Sequence, residues 1–253
     1  MKTRKGIPAL ALTSLLAAAP AHAEWSVNAQ VERFRWTEQV SGPEVVESGG
    51  RAGIGLSWTD DAQRGLIMRY RGTLYAGSVR YRGQLQFSGT PSQATTDYAG
   101  IRNELQGLYR AEADSVLGLV GGIGLDYWQR SLSFTSQRED WAVLYARAGI
   151  ETGRWHGLFA GAGVKFPLKT LEDAHFTDAG FDRNPELRPG RELSLYADLG
   201  YRMSRRWQLT AYYDSYRFAQ SPVVMLTSGT SAFTAWQPRS TMDVVGLRLD
   251  YFF

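Results

Sequence analysis

Apolar and polar residues alternate along most of this chain. The alternation is cleanest in five stretches: Ala52/Ile54/Leu56/Trp58, Leu117/Leu119/Gly121/Ile123/Leu125/Tyr127, Ala142/Leu144/Ala146/Ala148/Ile150, Leu158/Ala160/Ala162/Val164/Phe166 and Leu193/Leu195/Ala197/Leu199/Tyr201. None of these sets carries a charge. A period of two puts such residues on one face of a β-strand and their neighbours on the other. Read between turn-forming breakers, the pattern predicts ten strands, at about residues 24–36, 51–59, 66–80, 96–110, 116–130, 139–151, 156–168, 191–202, 207–218 and 240–253. Two irregularities stand out. Asn103 interrupts the apolar parity between Ile101 and Leu105, and the first strand switches parity between Val31 and Phe34, which predicts a bulge or a displaced boundary.

Proline supports a sheet without free edges, because it cannot donate to a ladder. Pro43, Pro91, Pro185, Pro189, Pro222 and Pro238 fall between predicted strands, and only Pro167 touches one, at its end. Short turns near 60–65, 111–115, 152–155 and 203–206 alternate with longer loops near 37–50, 81–95, 131–138, 169–190 and 219–239. The predicted fold is therefore all-β: a closed antiparallel up-and-down transmembrane β-barrel of ten strands, or of eight if a weak pair merges.

The last strand, VGLRLDYFF, places Phe253, Tyr251, Leu249, Leu247 and Val245 on one face and Phe252, Asp250, Arg248 and Gly246 on the other. It resembles the terminal strand of bacterial outer-membrane β-barrels, in which a final aromatic residue is part of the signal read by the barrel-insertion machinery. The resemblance implies an outer-membrane location, termini and short turns in the periplasm, and long loops outside. It also implies contact with outer-membrane lipid and lipopolysaccharide, and passing contact of Phe253, Tyr251 and Leu249 with the insertion machinery. A closed barrel has no edge to pair, so a monomer is expected. Trp58, Tyr109, Tyr201, Trp207 and Phe253 are expected to ring the periplasmic interface.

The other end agrees. Lys2, Arg4 and Lys5 precede an apolar stretch from Ile7 to Ala19 and a small-x-small site, Ala21-His22-Ala23. That is the pattern of a cleaved signal peptide, and the stretch is too short for a spanning helix. Cleavage after Ala23 leaves residues 24–253 as one barrel domain. It removes three of the 28 basic residues and none of the 25 acidic ones, so the remainder is formally neutral and gives no footing for nucleic-acid binding. The absence of cysteine excludes a disulfide framework.

The parity opposite the apolar face collects Arg69, Arg71, Arg102, Glu104, Asp126, Arg147, Glu151, Lys165, Asp198, Arg202, Asp214, Arg248 and Asp250. Charges out of bulk water must pair, so this near-balanced set predicts a cross-strand network filling the lumen. Ten strands enclose at most a narrow channel. Its alternative use is a selective pore with a basic stripe of Arg69, Arg71 and Arg102 for small anions.

Enzymatic outer-membrane barrels, which this chain resembles in size class, use histidine with aspartate or serine. After the signal segment only His156 and His175 remain. His156 sits at the periplasmic end of a strand beside Trp155. His175 lies in a long loop with Glu172, Asp173, Asp178 and Asp182, so His175, Asp173 and Asp178 are the candidate catalytic residues of a loop-sited hydrolase. No serine or paired-aspartate motif accompanies them, and no residue pattern points to a cofactor or metal. Loop 219–239 is apolar, with Val223, Val224, Met225, Leu226, Phe233 and Trp236, and is expected to extend the flanking strands as a hairpin, to fold into the barrel mouth or to offer an adhesive surface. The leading functional expectation is a non-enzymatic structural or surface-interaction role in the envelope; the narrow channel and the hydrolase are the alternatives. Replacing Phe253 by Ala is expected to lower the amount assembled in the outer membrane, read by fractionation, and undiminished assembly would refute its targeting role.

Overall fold

The computed structural model describes residues 23–40, 44–84, 90–133, 138–153 and 155–253. Ten strands form the barrel: β1 (Ala23–Gln39), β2 (Val45–Asp60), β3 (Gly65–Gln84), β4 (Pro91–Arg110), β5 (Leu117–Leu132), β6 (Arg138–Thr152), β7 (Leu158–Asp173), β10 (Ser194–Arg202), β11 (Trp207–Ala219) and β14 (Arg239–Phe252). Each pairs antiparallel with its chain neighbour in the barrel, and β1 pairs β14 to close it. Lipid offers no partner to a backbone N–H or C=O, so closure is the condition for spanning a bilayer with strands. Four short strands lie off this ring. β8 (Glu186–Leu187) adds to β7, β9 (Gly190–Glu192) adds to β11, and β12 (Val224–Ser228) pairs only β13 (Ser231–Ala235).

The strands are longer than predicted. β3 and β4 have 20 residues each, where about 9 to 11 suffice to cross a bilayer. The predicted loops 37–50 and 81–95 are thus largely strand, and Pro91 begins β4 opposite Gln84. Pro167 lies inside β7, not at its end, where the register to β6 shifts between Leu144 and Tyr145. This bulge accommodates a residue without a donor. The bulge or boundary error expected in the first strand does not exist. β1 keeps one register with both neighbours from end to end, with Val27, Val31, Arg33 and Arg35 outward and Glu32, Phe34, Trp36 and Glu38 inward. What changes near Val31 is chemistry: the strand leaves the hydrocarbon, so the outer face becomes basic and the inner face aromatic.

An outward apolar belt surrounds the half of the barrel nearer the termini, with Val31, Ile54, Leu74, Leu119, Ile123, Leu195, Leu199 and Val245 all exposed. Asn103, the polar interruption, accepts a 2.7 Å hydrogen bond from the Tyr70 hydroxyl, which satisfies its carbonyl beside lipid. Trp25 and Trp58 pair across β1 and β2, and exposed Tyr109, Tyr201, Trp207 and Phe253 continue the ring at the belt's lower edge. His156 and Gly157, both at positive φ, form the two-residue turn between Trp155 and Leu158.

Inside the barrel, aromatic rings lie against glycines of adjacent strands. A Cβ on Gly124 would collide with the Tyr145 ring, and one on Gly246 with the Tyr212 ring. Each tyrosine is the direct cross-strand partner of its glycine. A Gly124→Val substitution is expected to displace Tyr145 and cost about 1–3 kcal/mol, seen as a lower temperature for the heat-dependent gel shift of the folded barrel.

Candidate functional site

Three layers are stacked along the lumen. The first, at the terminal end, is ionic. Arg69 pairs with Glu151 at 2.6 Å and Arg110 joins the same carboxylate at 3.3 Å. Arg147 bonds Glu104 at 2.7 Å and approaches Asp198 at 3.8 Å. Arg102 bridges Asp126 at 2.8 Å and Asp214 at 3.2 Å, and Lys165 reaches Asp214 at 2.6 Å. Arg248 and Asp250 pair along β14 at 3.2 Å. Arg202 is at the rim instead, bonded to Glu24 at 2.6 Å with its guanidinium over the Phe252 ring. Arg71 forms no ion pair among the described residues; it lines a cavity of about 120 Å³ with Arg69, Glu104, Arg147, Asp198 and Arg248.

The second layer is aromatic and spans the lumen. Trp128 stacks on Trp141 at 5.3 Å, Trp36 meets Trp141 edge-on at 5.2 Å, and Tyr216 stacks on Phe218 at 5.5 Å. With Phe34, Tyr98, Met242 and Val244 they form one buried cluster contributed by strands all round the barrel. Tyrosines tie it to the layer beneath. The hydroxyls of Tyr75 and Tyr145 donate to Asp126 and Glu104, each at 2.8 Å, and Tyr212 donates to Glu32 at 2.8 Å. Glu32 also takes the buried Arg51, whose Nε lies 2.7 Å away. Ring bodies fill space while their hydroxyls saturate carboxylates, the division of labour tyrosine permits.

The third layer is a carboxylate cage above the aromatic one, beyond the lipid belt. Glu38, Glu47, Glu139 and Glu172 are all buried, and one guanidinium, Arg130, serves the group. It reaches Glu38 at 3.1 Å, Glu139 at 2.9 Å and Glu47 at 3.9 Å. Trp36 Nε1 donates to Glu38 and Trp141 Nε1 to Glu139, at 2.8 and 3.2 Å, while Thr96 and Tyr98 donate to Glu47. Glu172 Oε2 is buried without a hydrogen bond. Burial, then the neighbouring Glu139 carboxylate, push the Glu172 carboxyl well above the usual range; burial also raises Glu139, against the pull of Arg130. No cluster of acidic or histidine side chains among the described residues has the geometry to hold a metal.

His175 is not paired with Asp173 or Asp178 through its ring. Its Nε2 lies 2.7 Å from Asp140 Oδ2 on β6, its backbone N–H donates to Asp173 Oδ1 at 3.0 Å, and its carbonyl accepts from the Asp178 N–H. The site is on the outer wall, since Asp140 also accepts from Gln129 and Arg138 at 2.9 and 2.8 Å. Burial works against the Asp140 carboxylate, but the hydrogen bonds from Arg138, Gln129 and His175 hold it below the usual range. Among the described residues no hydroxyl bonds the imidazole. With φ of 46° at His175, this arrangement latches the loop onto the wall.

That loop and the 219–239 segment fold on each other. β12 and β13 form a hairpin detached from the barrel ladder, so the segment does not simply extend β11 and β14. Its inner face buries Leu226 against Phe176 and Leu187, with Phe181 edge-on to Phe233 at 5.4 Å. Asp182 and Thr227 exchange hydrogen bonds, and Gln237 ties the hairpin root to Glu38 at 3.3 Å. Val223, Met225 and Trp236 remain exposed.

Sequence reasoning missed Glu38 and Glu47 because they fall in the predicted loop 37–50, and missed Glu32, Arg51, Arg130 and Glu139, which lie inside predicted strands, because the inward parity was followed only at the height of the apolar belt. Carrying the inward parity past Arg33 would have found them.

The chain is similar to the outer-membrane protease OmpT from Escherichia coli, at 11% identity over 91% of this chain and 96% of that one, with a TM-score of 0.52. It also matches the translocator domain of the autotransporter NalP from Neisseria meningitidis (14% identity, 96% and 92% covered, TM-score 0.46). A third match is an outer-membrane channel from Pseudomonas putida (10% identity, 93% and 97% covered, TM-score 0.46). No protein-family model and no curated protein matches the chain. The fold is that of the bacterial outer-membrane β-barrels, and at such identities the likeness extends to fold alone.

A raised carboxyl pKa means that the folded state binds its proton more tightly than the unfolded chain. The resulting stability is complete below the unfolded value of about 4.3 and is lost as pH rises through the folded value. The unfolding midpoint is therefore expected to fall as pH rises above the unfolded value, and Glu172→Gln to flatten that slope. An equal slope in both proteins would refute the raised Glu172 carboxyl.

Proposed function

We propose that this protein is a monomeric, non-conducting and non-catalytic outer-membrane barrel that acts through its extracellular surface. In this reading residues 1–23 are removed on export, the termini are periplasmic, and the insertion machinery reads the terminal strand. The observation that carries it is the aromatic layer: Trp36 of β1 meets Trp141 of β6 edge-on at 5.2 Å, and rings from strands all round the barrel pack as one buried cluster across the lumen. Ions do not cross such a plug without its rearrangement. The surface reading is preferred to the hydrolase because, among the described residues, the His175 ring bonds Asp140 and no hydroxyl. The surface role rests on the folded external unit of β12, β13 and the loop from Ala174 to Leu187, which keeps its own apolar core and still exposes Val223, Met225 and Trp236. Exposed apolar side chains on a well-packed external unit suit contact with another surface.

A second reading, a gated anion path, is favoured by the arginine-lined cavity on the terminal side, where Arg71 has no ion pair. Reconstitution in planar bilayers separates the two. Heat-modifiable protein is expected to give no current steps, and reproducible steps would refute the closed lumen. Deleting residues 223–236 is expected to leave the barrel heat-modifiable while abolishing adhesion to host-cell or cell-wall material, and undiminished adhesion would move the surface role elsewhere.

A further inference from the structure

The outer wall just above the apolar belt carries many arginines, and several of them are engaged. Arg217 bonds Asp243, Arg239 bonds Glu192 and Arg138 bonds Asp140, each at 2.7–2.8 Å, while Arg191 donates to a backbone carbonyl. Four are different. Arg33, Arg35, Arg80 and Arg82 are exposed and form no ion pair among the described residues, and only Arg35 has a hydrogen bond, a long one of 3.4 Å to Thr37.

The register brings them together. Arg35 on β1 is opposite Ser48 on β2, and Ser48 is opposite Arg80 on β3, so the two arginines flank a serine in one cross-strand row. Neighbouring strands lie about 4.8 Å apart, which sets the flanking Cα atoms about 10 Å apart. Arg33 is opposite Gly50 one step closer to the lipid, and Arg82 opposite Val46 one step further away. The floor between the guanidiniums is thus Ser48 and Gly50, too small to hold them apart from a ligand. Of the acids on this face, Asp243, opposite Arg35 on β14, is bonded by Arg217 and Tyr213, Asp97 accepts from the Ser78 hydroxyl, and Glu44 lies two residues before Val46, further from the lipid than the Ser48–Gly50 floor. Directly beneath are Val31, Ala52 and Ala76, the top of the apolar belt, all exposed.

We infer that Arg33, Arg35, Arg80 and Arg82 form a phosphate-binding cleft for a phosphorylated glycolipid of the outer leaflet, its acyl chains lying on Val31, Ala52 and Ala76. Two guanidinium forks on either side of a small-residue floor match the geometry of a phosphate monoester, which arginine binds in bidentate fashion. Position selects the lipid over a soluble anion, because the site meets hydrocarbon at its lower edge and headgroups at its own height. This rests on the outer-membrane placement proposed above and assigns that placement a specific lipid contact.

The test uses the full barrel refolded in detergent, with gel mobility as the check of folding. Bis-phosphorylated lipid A, its enzymatically dephosphorylated form and inorganic phosphate are titrated separately, with binding read by native mass spectrometry. The phosphorylated lipid is expected to bind, the dephosphorylated lipid at least roughly tenfold more weakly, and inorganic phosphate at millimolar levels not to compete. The triple variant Arg33→Ala/Arg35→Ala/Arg80→Ala is expected to fold, since these side chains face outward, and to lose the preference for the phosphorylated lipid. Arg138→Ala, on another sector of the wall, is expected to keep it. Equal binding of both lipids, retention of the preference by the triple variant, or displacement by inorganic phosphate would each overturn the assignment. Loss of the gel shift or absence from the outer-membrane fraction would instead count against the placement itself.

Discussion

The pleat of the strand is the constraint on which the rest depends. Once the ladder closes, a residue's parity decides whether it faces lumen or surroundings, and a slip of one residue would invert every side chain on that strand. β1 shows the consequence. Its inward series, Asn28, Gln30, Glu32, Phe34, Trp36, Glu38, passes from amides to carboxylate to aromatic rings and back to carboxylate. Its outward series, Val27, Ala29, Val31, Arg33, Arg35, passes from hydrocarbon to charge. The two sequences are interleaved but solve separate problems, and they change character at the same height because both respond to the end of the bilayer.

The interior could have been filled with hydrocarbon, and the ionic layer therefore needs an account. A buried ion pair contributes little net stability against a well-packed apolar substitute, yet removing one member leaves an uncompensated charge that costs several kcal/mol. The network here is linked across the barrel: Arg102 joins Asp126 on β5 to Asp214 on β11, and Arg69 joins β3 to β6. Such links constrain which strands face one another across the lumen, a specificity that greasy contacts do not supply. The tyrosines then couple this layer to the aromatic one, so that neither can shift without unsaturating the other.

Much of this was legible in sequence, and the limit has a physical cause. Apolar parity found the ten strands and their order, because lipid demands an uncharged face over the full width of the bilayer. It failed above the belt, where the outer face of β1 and β3 is solvated and alternation of hydrophobicity reverses sense, as at Arg33 against Phe34. Pro167 was placed at a strand end because a bulge leaves no mark in composition. His175 was grouped with acids near it in sequence, whereas its ring partner, Asp140, is 35 residues away on another strand. The cage around Arg130 draws on β1, β2, β5, β6 and β7, and no local pattern reports such a convergence.

The carboxylate cage and the arginine cluster stand back to back across one thickness of sheet, Glu47 facing in beside Ser48 facing out. One account of the exposed arginines is that they merely balance the charge inside. The bonding argues otherwise. Glu47 is saturated by Thr96 and Tyr98, and Glu38 by Trp36, Arg130 and Gln237. The arginine heads also extend into water, where high dielectric and salt screen attraction through the wall. Interior balance thus does not account for the outer cluster, and its place over a glycine and a serine at the top of a lipid-facing belt favours an anion from that lipid as its partner.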